Sequence, residues 1–398
     1  LDIFDKCWSF TRAKETIEQG IYPYFIPIQE NNGPRVKMGG KHVIMIGSNN
    51  YLGLTKDPRV QEAAVKAIEK FGTSCSGSRF LNGTLYLHEE LENQLADFLN
   101  KEASLVFSTG YQTNLGAIST LFKKNEMIVT DKTNHASIID GIFLSYGVNL
   151  GMVIKRYQHN NMRDLERVLG NLDPLIPKMI ITDGVFSMEG DIIKLPRLVE
   201  LTKEFNCRLY LDDAHGLGVL GKTGRGTLEH FGIFDEVDLV MSTFSKSFSS
   251  LGGFIAGKED VIHYIKHHSR PLIFSAAIPP ANVAAVLKSL EIIKAEPEIV
   301  QRLQQIGDKM RREFREIGFD TLESQTPIVP LLVGEDVKTF TFWKALFDAG
   351  IYTNAVISPA VPSDRALLRT SYMATHTDND LDQVLETVKK IGKQMGII

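Results

Sequence analysis

Cysteine is scarce in this chain of 398 residues. Cys7, Cys75 and Cys207 are odd in number and far apart. That excludes a disulfide framework and a cysteine-rich zinc site, and it fits a reducing, cytoplasmic setting. Basic charge is not in excess either: 44 Lys and Arg stand against 48 Asp and Glu, for a net charge of −4. A nucleic-acid binder normally presents a basic face to the phosphate backbone, so nucleic acid is not an expected partner. No stretch approaches the roughly 18 uninterrupted apolar residues of a membrane span. The opening residues, LDIFDK, carry no basic region leading into an apolar one, so no signal peptide is expected. Internal repeats, low-complexity tracts and Pro/Ser-rich linkers are missing. What is present is 43% hydrophobic residues, ample to bury a core. The length calls for two or three domains, or one large α/β unit.

Residues 3–19 place Ile3, Phe4, Cys7, Trp8, Phe10 and Ile17 at helix-like spacing and stop at Gly20, which predicts an arm helix. Asp57-Pro58 predicts a helix start with proline in the first turn, running to Gly72. A second helix from Thr84 gathers Leu87, Leu91, Leu95, Phe98 and Leu99 on one face. From residue 103, short apolar runs alternate with helix-length segments, at 105–107, 128–129, 153–154, 179–181, 209–211, 239–241 and 254–256. Strands joined mostly by helical crossovers predict an α/β fold around a mainly parallel seven-stranded sheet, covered on both faces. A long helix at 297–317, strand-like runs at 328–333 and 367–371, a helix at 337–348 and a closing amphipathic helix predict a smaller C-terminal α+β domain. The expected division is an N-terminal arm at 1–55, a large domain at 56–290 and a small domain at 291–398.

Ligands of parallel sheets bind at the carboxyl ends of the strands, and the polar motifs fall there. The run 108–114, STGYQTN, follows a strand with small residues that open a helix, whose backbone N–H groups are a ready anion site. An ordinary strand-to-helix turn is the plainer reading of that run alone. In Leu211-Asp212-Asp213-Ala214-His215-Gly216 a carboxylate ends an apolar strand, which is costly unless a cation meets it. A protonated ring nitrogen of a bound heterocycle would be such a cation; a helix cap or surface ion pair is the alternative. Lys246, in STFSKSF at 242–248, is a single amine among hydroxyls and apolar residues, suited to imine formation and proton transfer. A snorkelling loop lysine is the commoner fate. Arg369 sits inside the apolar strand LLRTS, where its fork suits a substrate carboxylate or a structural ion pair.

Two patterns mislead. Gly216-Leu217-Gly218-Val219-Leu220-Gly221 matches a dinucleotide fingerprint, but KTGRG follows where a helix should open. His263 and His267 have metal-like spacing without an evident carboxylate partner, so a solvated helix face is expected and no metal.

In order along the chain, Asp212-x-x-His215 and Ser245-Lys246-Ser247, with His135 before and Arg369 after, resemble the α-oxoamine synthases. These are pyridoxal-phosphate enzymes of the aspartate-aminotransferase fold, fold type I. The resemblance also runs through 47–54 (GSNNYLGL), 77–79 with 83–84, 134–137 (NHAS), 183–191 (DGVFSMEGD) and 243–247 (TFSKS). The family condenses an amino acid with an acyl-CoA thioester and releases CO2. The resemblance implies that Lys246 carries the pyridoxal 5'-phosphate cofactor, Asp212 pairs with its ring nitrogen and His215 with its phenolic oxygen. His135 is implied to stack on the ring and help hold the substrate carboxylate, with Ser187 near the ring. Gly110, Tyr111, Thr243 and Ser245 are implied to cradle the phosphate, and Asn49 and Arg369 to receive the amino-acid carboxylate.

The runs 22–25 (YPYF), 76–84 (SGSRFLNGT) and 270–280 (RPLIFSAAIPP) are most similar to the members that join L-serine to a long-chain acyl-CoA. Glycine or alanine with a different acyl-CoA stays open, because the named residues bind parts common to all these substrates. A plain aminotransferase or decarboxylase is disfavoured by the His135 motif and the Asn49-Asn50-Tyr51 loop. A silent regulatory subunit is disfavoured by the retained lysine. The resemblance further implies a homodimer with the active site at the interface. Relatives offer a second hydroxyl to the phosphate from the partner near Ser275, and Ala276 and Ala277 depart from that pattern.

Overall fold

A computed structural model describes residues 2–398. In place of the single arm helix there are two short ones, Asp5–Trp8 and Arg12–Glu18, neither burying a residue. Three strands follow: β1 (Ile28–Asn32), β2 (Arg35–Met38) and β3 (Lys41–Met45). The seven apolar runs become β4 (Ala103–Phe107), β5 (Met127–Asp131), β6 (Val153–Tyr157), β7 (Lys178–Asp183), β8 (Arg208–Asp212), β9 (Leu239–Thr243) and β10 (Gly253–Gly257). They form one sheet in the order β4-β10-β9-β8-β7-β5-β6. β10 runs antiparallel to both its neighbours and the other pairs are parallel. Every residue of β5, β9 and β10 is buried, as expected of strands covered on both faces.

Local chemistry sets the helices of this sheet unit. Asp57 accepts the Arg59 N–H at 2.8 Å to start Pro58–Phe71, which ends at Gly72 with φ 78°. Leu87, Leu91, Leu95 and Phe98 are the buried face of Tyr86–Phe98. Gly110–Leu121 and Ala136–Val148 pack against each other. A Cβ on Gly141 would stand 3.0 Å from the Asn114 carbonyl oxygen, and one on Gly116 only 2.6 Å from the Phe107 ring. Gly141 is needed for the approach of the two helices, and Gly116 lets the first of them lie close on the end of β4.

The chain divides into two compact units, Asn49–Gln305 and the segment up to Ser48 together with Ile306–Ile398. In the second unit lie β11 (Ile328–Gly334), β12 (Ile351–Tyr352), β13 (Asn354–Val356) and β14 (Ala366–Ser371). β12 adds in parallel to β3, completing the sheet β1-β2-β3-β12, while β11-β14-β13 forms a three-stranded sheet. Residues 28–45 therefore join the C-terminal half of the chain through a sheet. Phe314, Phe342, Trp343, Tyr372 and Leu381 belong to the core of this unit. The two misleading patterns resolve plainly. His263 and His267 lie on helix Glu259–His268 as exposed residues, and the glycine run stays a loop until Gly226 opens a short helix.

The 183–192 loop leaves β7 and folds back through a Val185–Ile192 bridge. His159 clamps it. One ring nitrogen is 3.4 Å from Asp131 Oδ1 and the other 3.3 Å from Asp191 Oδ2, with the ring edge-on to Phe186. Burial works against a charged ring, but the two carboxylates outweigh it and His159 is pushed up to about 10. With Glu189, His159 and Asp191 form a group of ligand-like spacing among the described residues. The ring spends both nitrogens on carboxylates, however, so an ion pair is the better description. Because the folded value lies above the unfolded one of about 6.5, the clamp is fully present below that pH and is lost as pH rises through about 10. Urea unfolding between pH 7 and 10.5 should show stability falling steadily, and His159→Gln should flatten that slope.

Candidate active site

Three adjacent strands end in carboxylates. Asp131, Asp183 and Asp212 are the last residues of β5, β7 and β8, all buried, with Asp183 and Asp212 directly opposite in register. Each must be answered by donors. Asp183 Oδ2 accepts the His135 N–H at 2.8 Å, and Asp212 Oδ1 accepts the Ala214 N–H at 3.0 Å. Asp212 Oδ2 accepts from Asn114 Nδ2 at 2.7 Å. Burial, together with the nearby Asp212 charge, raises Asp183 well above the usual carboxylate range.

A cavity of about 260 Å³ opens at these strand ends. It brings together nine of the eleven residues expected from the sequence. Lys246, Asp212, His215 and His135 line it, with Ser187 from the 183–192 loop. Gly110 and Tyr111 enter from the start of helix Gly110–Leu121, and Thr243 and Ser245 from the end of β9 and the turn beyond it. Asn49 and Arg369 are not among its lining residues. Arg369 is buried on β14, opposite Pro330 and Asn354, with Nη1 3.4 Å from Ser371 Oγ.

Several contributors were not singled out by sequence reasoning. Tyr51 is fully buried, with its hydroxyl 2.7 Å from His215 Nδ1 and 3.4 Å from Asn49 Oδ1. Ser137 Oγ lies 2.7 Å from His135 Nδ1. Burial, opposed by Asp212 and assisted by Lys246, holds the His135 ring below the usual imidazole range. Asp213, beside Asp212, turns away from the cavity to accept the N–H and hydroxyl of Thr227, and burial pushes it up to about 6. Tyr51, Ser137 and Asp183 all stood inside motifs already noted; a buried hydroxyl beside a histidine was the missing signal.

The residues fit pyridoxal phosphate by their donor chemistry. Paired buried carboxylates at one end call for a cation, which a protonated pyridine nitrogen supplies. At the other end the Thr243 hydroxyl, 2.9 Å from Ser245 Oγ, meets the first turn of a twelve-residue helix, an arrangement suited to an anion. Gly110 is required there, since a Cβ would stand 2.6 Å from Thr243 Oγ1. Lys246 provides the amine on the same cavity wall.

Comparison with known proteins agrees. The profile of the aminotransferase class I and II family matches residues 41–388. A serine palmitoyltransferase of Sphingobacterium spiritivorum is 49% identical, over 98% of this chain and 96% of that protein. An 8-amino-7-oxononanoate synthase of Thermoanaerobacter pseudethanolicus is 42% identical, over 97% of each. Among solved structures, Sphingomonas wittichii serine palmitoyltransferase superposes with a TM-score of 0.95 at 34% identity, covering all of both chains. A serine palmitoyltransferase solved with pyridoxal phosphate matches equally well. The chain belongs to the aminotransferase class I and II family, is built on fold type I, and uses pyridoxal phosphate as its cofactor.

Proposed function

We propose that this protein is an acyltransferase that condenses L-serine with palmitoyl-CoA, giving 3-ketodihydrosphingosine, CoA and CO2. The observation that carries this reading is the gathering of Lys246, Asp212, His215 and His135 in one cavity. It occurs in a chain 45–49% identical to four serine palmitoyltransferases over at least 96% of its length.

Bound pyridoxal phosphate supplies an electron sink that makes loss of the serine Cα proton, and later of CO2, feasible. Lys246 Nζ takes the Cα proton and later returns one to the same carbon. Between those steps a bond forms from serine Cα to the thioester carbonyl carbon, the C–S bond breaks, and CoA leaves. The bond from Cα to the carboxylate then breaks as CO2 departs. Asp212 keeps the ring nitrogen protonated. His215, its Nδ1 held by the Tyr51 hydroxyl, meets the phenolic oxygen. Thr243, Ser245, Gly110 and Tyr111 hold the phosphate, with Ser187 beside the ring. His135, Asn49 and Arg369 receive the serine carboxylate, orienting the Cα–H bond.

The working state in this reading is a cytoplasmic homodimer with the active site at the interface. Phe80, Leu81 and Phe274, exposed on the single chain, lie in the runs that carry the resemblance and offer apolar surface for a second copy. No helix among the described residues is long and apolar enough to cross a membrane, in keeping with acyl-CoA being met from the aqueous side.

Three measurements test the reading. Purified protein should be yellow, and Lys246→Ala should lose that colour with turnover down by roughly 10²–10⁴-fold, the range for a positioned proton-transfer group. A colourless wild type that takes up no added cofactor defeats the proposal. Arg369→Ala should keep the colour and raise the serine KM by about ten- to a hundredfold, the worth of charged hydrogen bonds. Unchanged serine kinetics would remove Arg369 from the carboxylate site. In a matrix of amino acids against acyl-CoA thioesters, read as free thiol release, serine with the palmitoyl thioester should be fastest. Alanine with a dicarboxylic thioester winning instead would transfer the chain to the 8-amino-7-oxononanoate synthases.

A further inference from the structure

Asn114 lies inside helix Gly110–Leu121 and is fully buried. Its Oδ1 accepts the Tyr210 hydroxyl at 2.7 Å, and its Nδ2 donates to Asp212 Oδ2 at 2.7 Å and to Ser137 Oγ at 2.8 Å. The amide can stand only one way round. Turned over, its oxygen would face the Asp212 carboxylate, acceptor against acceptor. Tyr210, whose hydroxyl burial keeps protonated, donates to that oxygen.

The proton order passes outward from there. Ser137 Oγ accepts from Asn114, and its other neighbour is His135 Nδ1, 2.7 Å away. The Ser137 N–H points at the same nitrogen, at 3.3 Å. Nδ1 is therefore an acceptor, and the neutral ring carries its proton on Nε2. The other Asp212 oxygen is already held by the Ala214 N–H, so the Asn114 contact fixes the whole carboxylate in orientation.

We propose that Asn114 is a positioning residue joining two parts of the site through one amide. One N–H holds the Asp212 carboxylate that meets the ring nitrogen, and the other, through Ser137, sets His135 as the Nε2–H tautomer that donates to the substrate carboxylate. This rests on the pyridoxal-phosphate and serine reading above and adds to it the residue that organises both contacts. It also ties them to the helix whose first turn meets the phosphate, so cofactor grip and histidine tautomer share one rigid element.

The test uses holoenzyme carrying Asn114→Ala, Ser137→Ala or Tyr210→Phe. Asn114→Ala should raise the pyridoxal phosphate dissociation constant by about tenfold or more, the size of one hydrogen bond to a charged group. Ser137→Ala should leave that constant unchanged. In ¹⁵N-histidine-labelled protein, wild-type His135 should show a single Nε2–H tautomer, and both variants should move it toward a mixture. The charged groups facing His135 are Asp212 and Asp183 at the strand ends, Lys246, and Asp140 on its own helix. All are kept in these variants, so the shift reports the amide network. Tyr210→Phe keeps the shape and takes away the donor that anchors the Asn114 oxygen, loosening the amide against Asp212; it should weaken cofactor binding in the same direction, and it decides the matter if Asn114→Ala does not fold. An Asn114→Ala protein that melts earlier yet keeps wild-type cofactor affinity and the Nε2–H signal overturns the proposal. A wild type that binds no pyridoxal phosphate overturns the functional reading instead.

Discussion

Everything at the working end of the sheet follows from three carboxylates buried side by side. Parallel strands bring their carboxyl ends to one edge, and β5, β7 and β8 each end in aspartate. An ionised carboxylate removed from water is tolerable only when donors or cations surround it. The loops beyond the strands supply them. Asp131 takes the N–H groups of Thr133 and Asn160 and the His159 ring. Asp183 takes the His135 backbone, and Asp212 takes Ala214 and Asn114. Each aspartate thus dictates the path of a loop, and the loops in turn place His135, Ser187 and His215.

The same requirement separates the aspartates that line the cavity from those that do not. Asp131 and Asp213 are satisfied entirely by groups outside the cavity wall. Asp183 and Asp212 line the cavity instead, where a cationic heterocycle would suit them. Two histidines of the site have their Nδ1 engaged by hydroxyl groups, Tyr51 for His215 and Ser137 for His135. Each ring is thereby fixed in orientation.

Much of this was legible from residue order. Seven apolar runs marked all seven strands of the large sheet, because strands buried on both faces leave nothing but apolar signal. Asp212, His215 and Lys246 stood out because charge at the end of an apolar run is conspicuous. The rest was hidden for physical reasons. Asn114 reads as one more polar residue in a helix, and only the meeting of that helix with β8 reveals its partners. β1 has every residue exposed, so it carries no hydrophobic pattern. Its sheet is completed by β12, two residues long and about three hundred positions away. A long-range partner of that size leaves no local trace. Asn49 and Arg369 stand outside the lining of the cavity, and their assignment rests on chemistry and resemblance.

That distant pairing has a consequence for how the molecule is made. The unit containing β3 and β14 is discontinuous: the Ser371 N–H bonds the Ile46 carbonyl at 2.8 Å, and Asn354 Nδ2 bonds the Gly47 carbonyl at 2.6 Å. Residues 28–48 are synthesised about three hundred residues before their partners at 351–371. The Asn49–Gln305 unit, whose contacts lie within its own continuous stretch, has all its residues available well before then. Folding order is therefore written into the topology, with the cofactor-bearing sheet able to form first and the smaller unit closing around its own two ends afterwards.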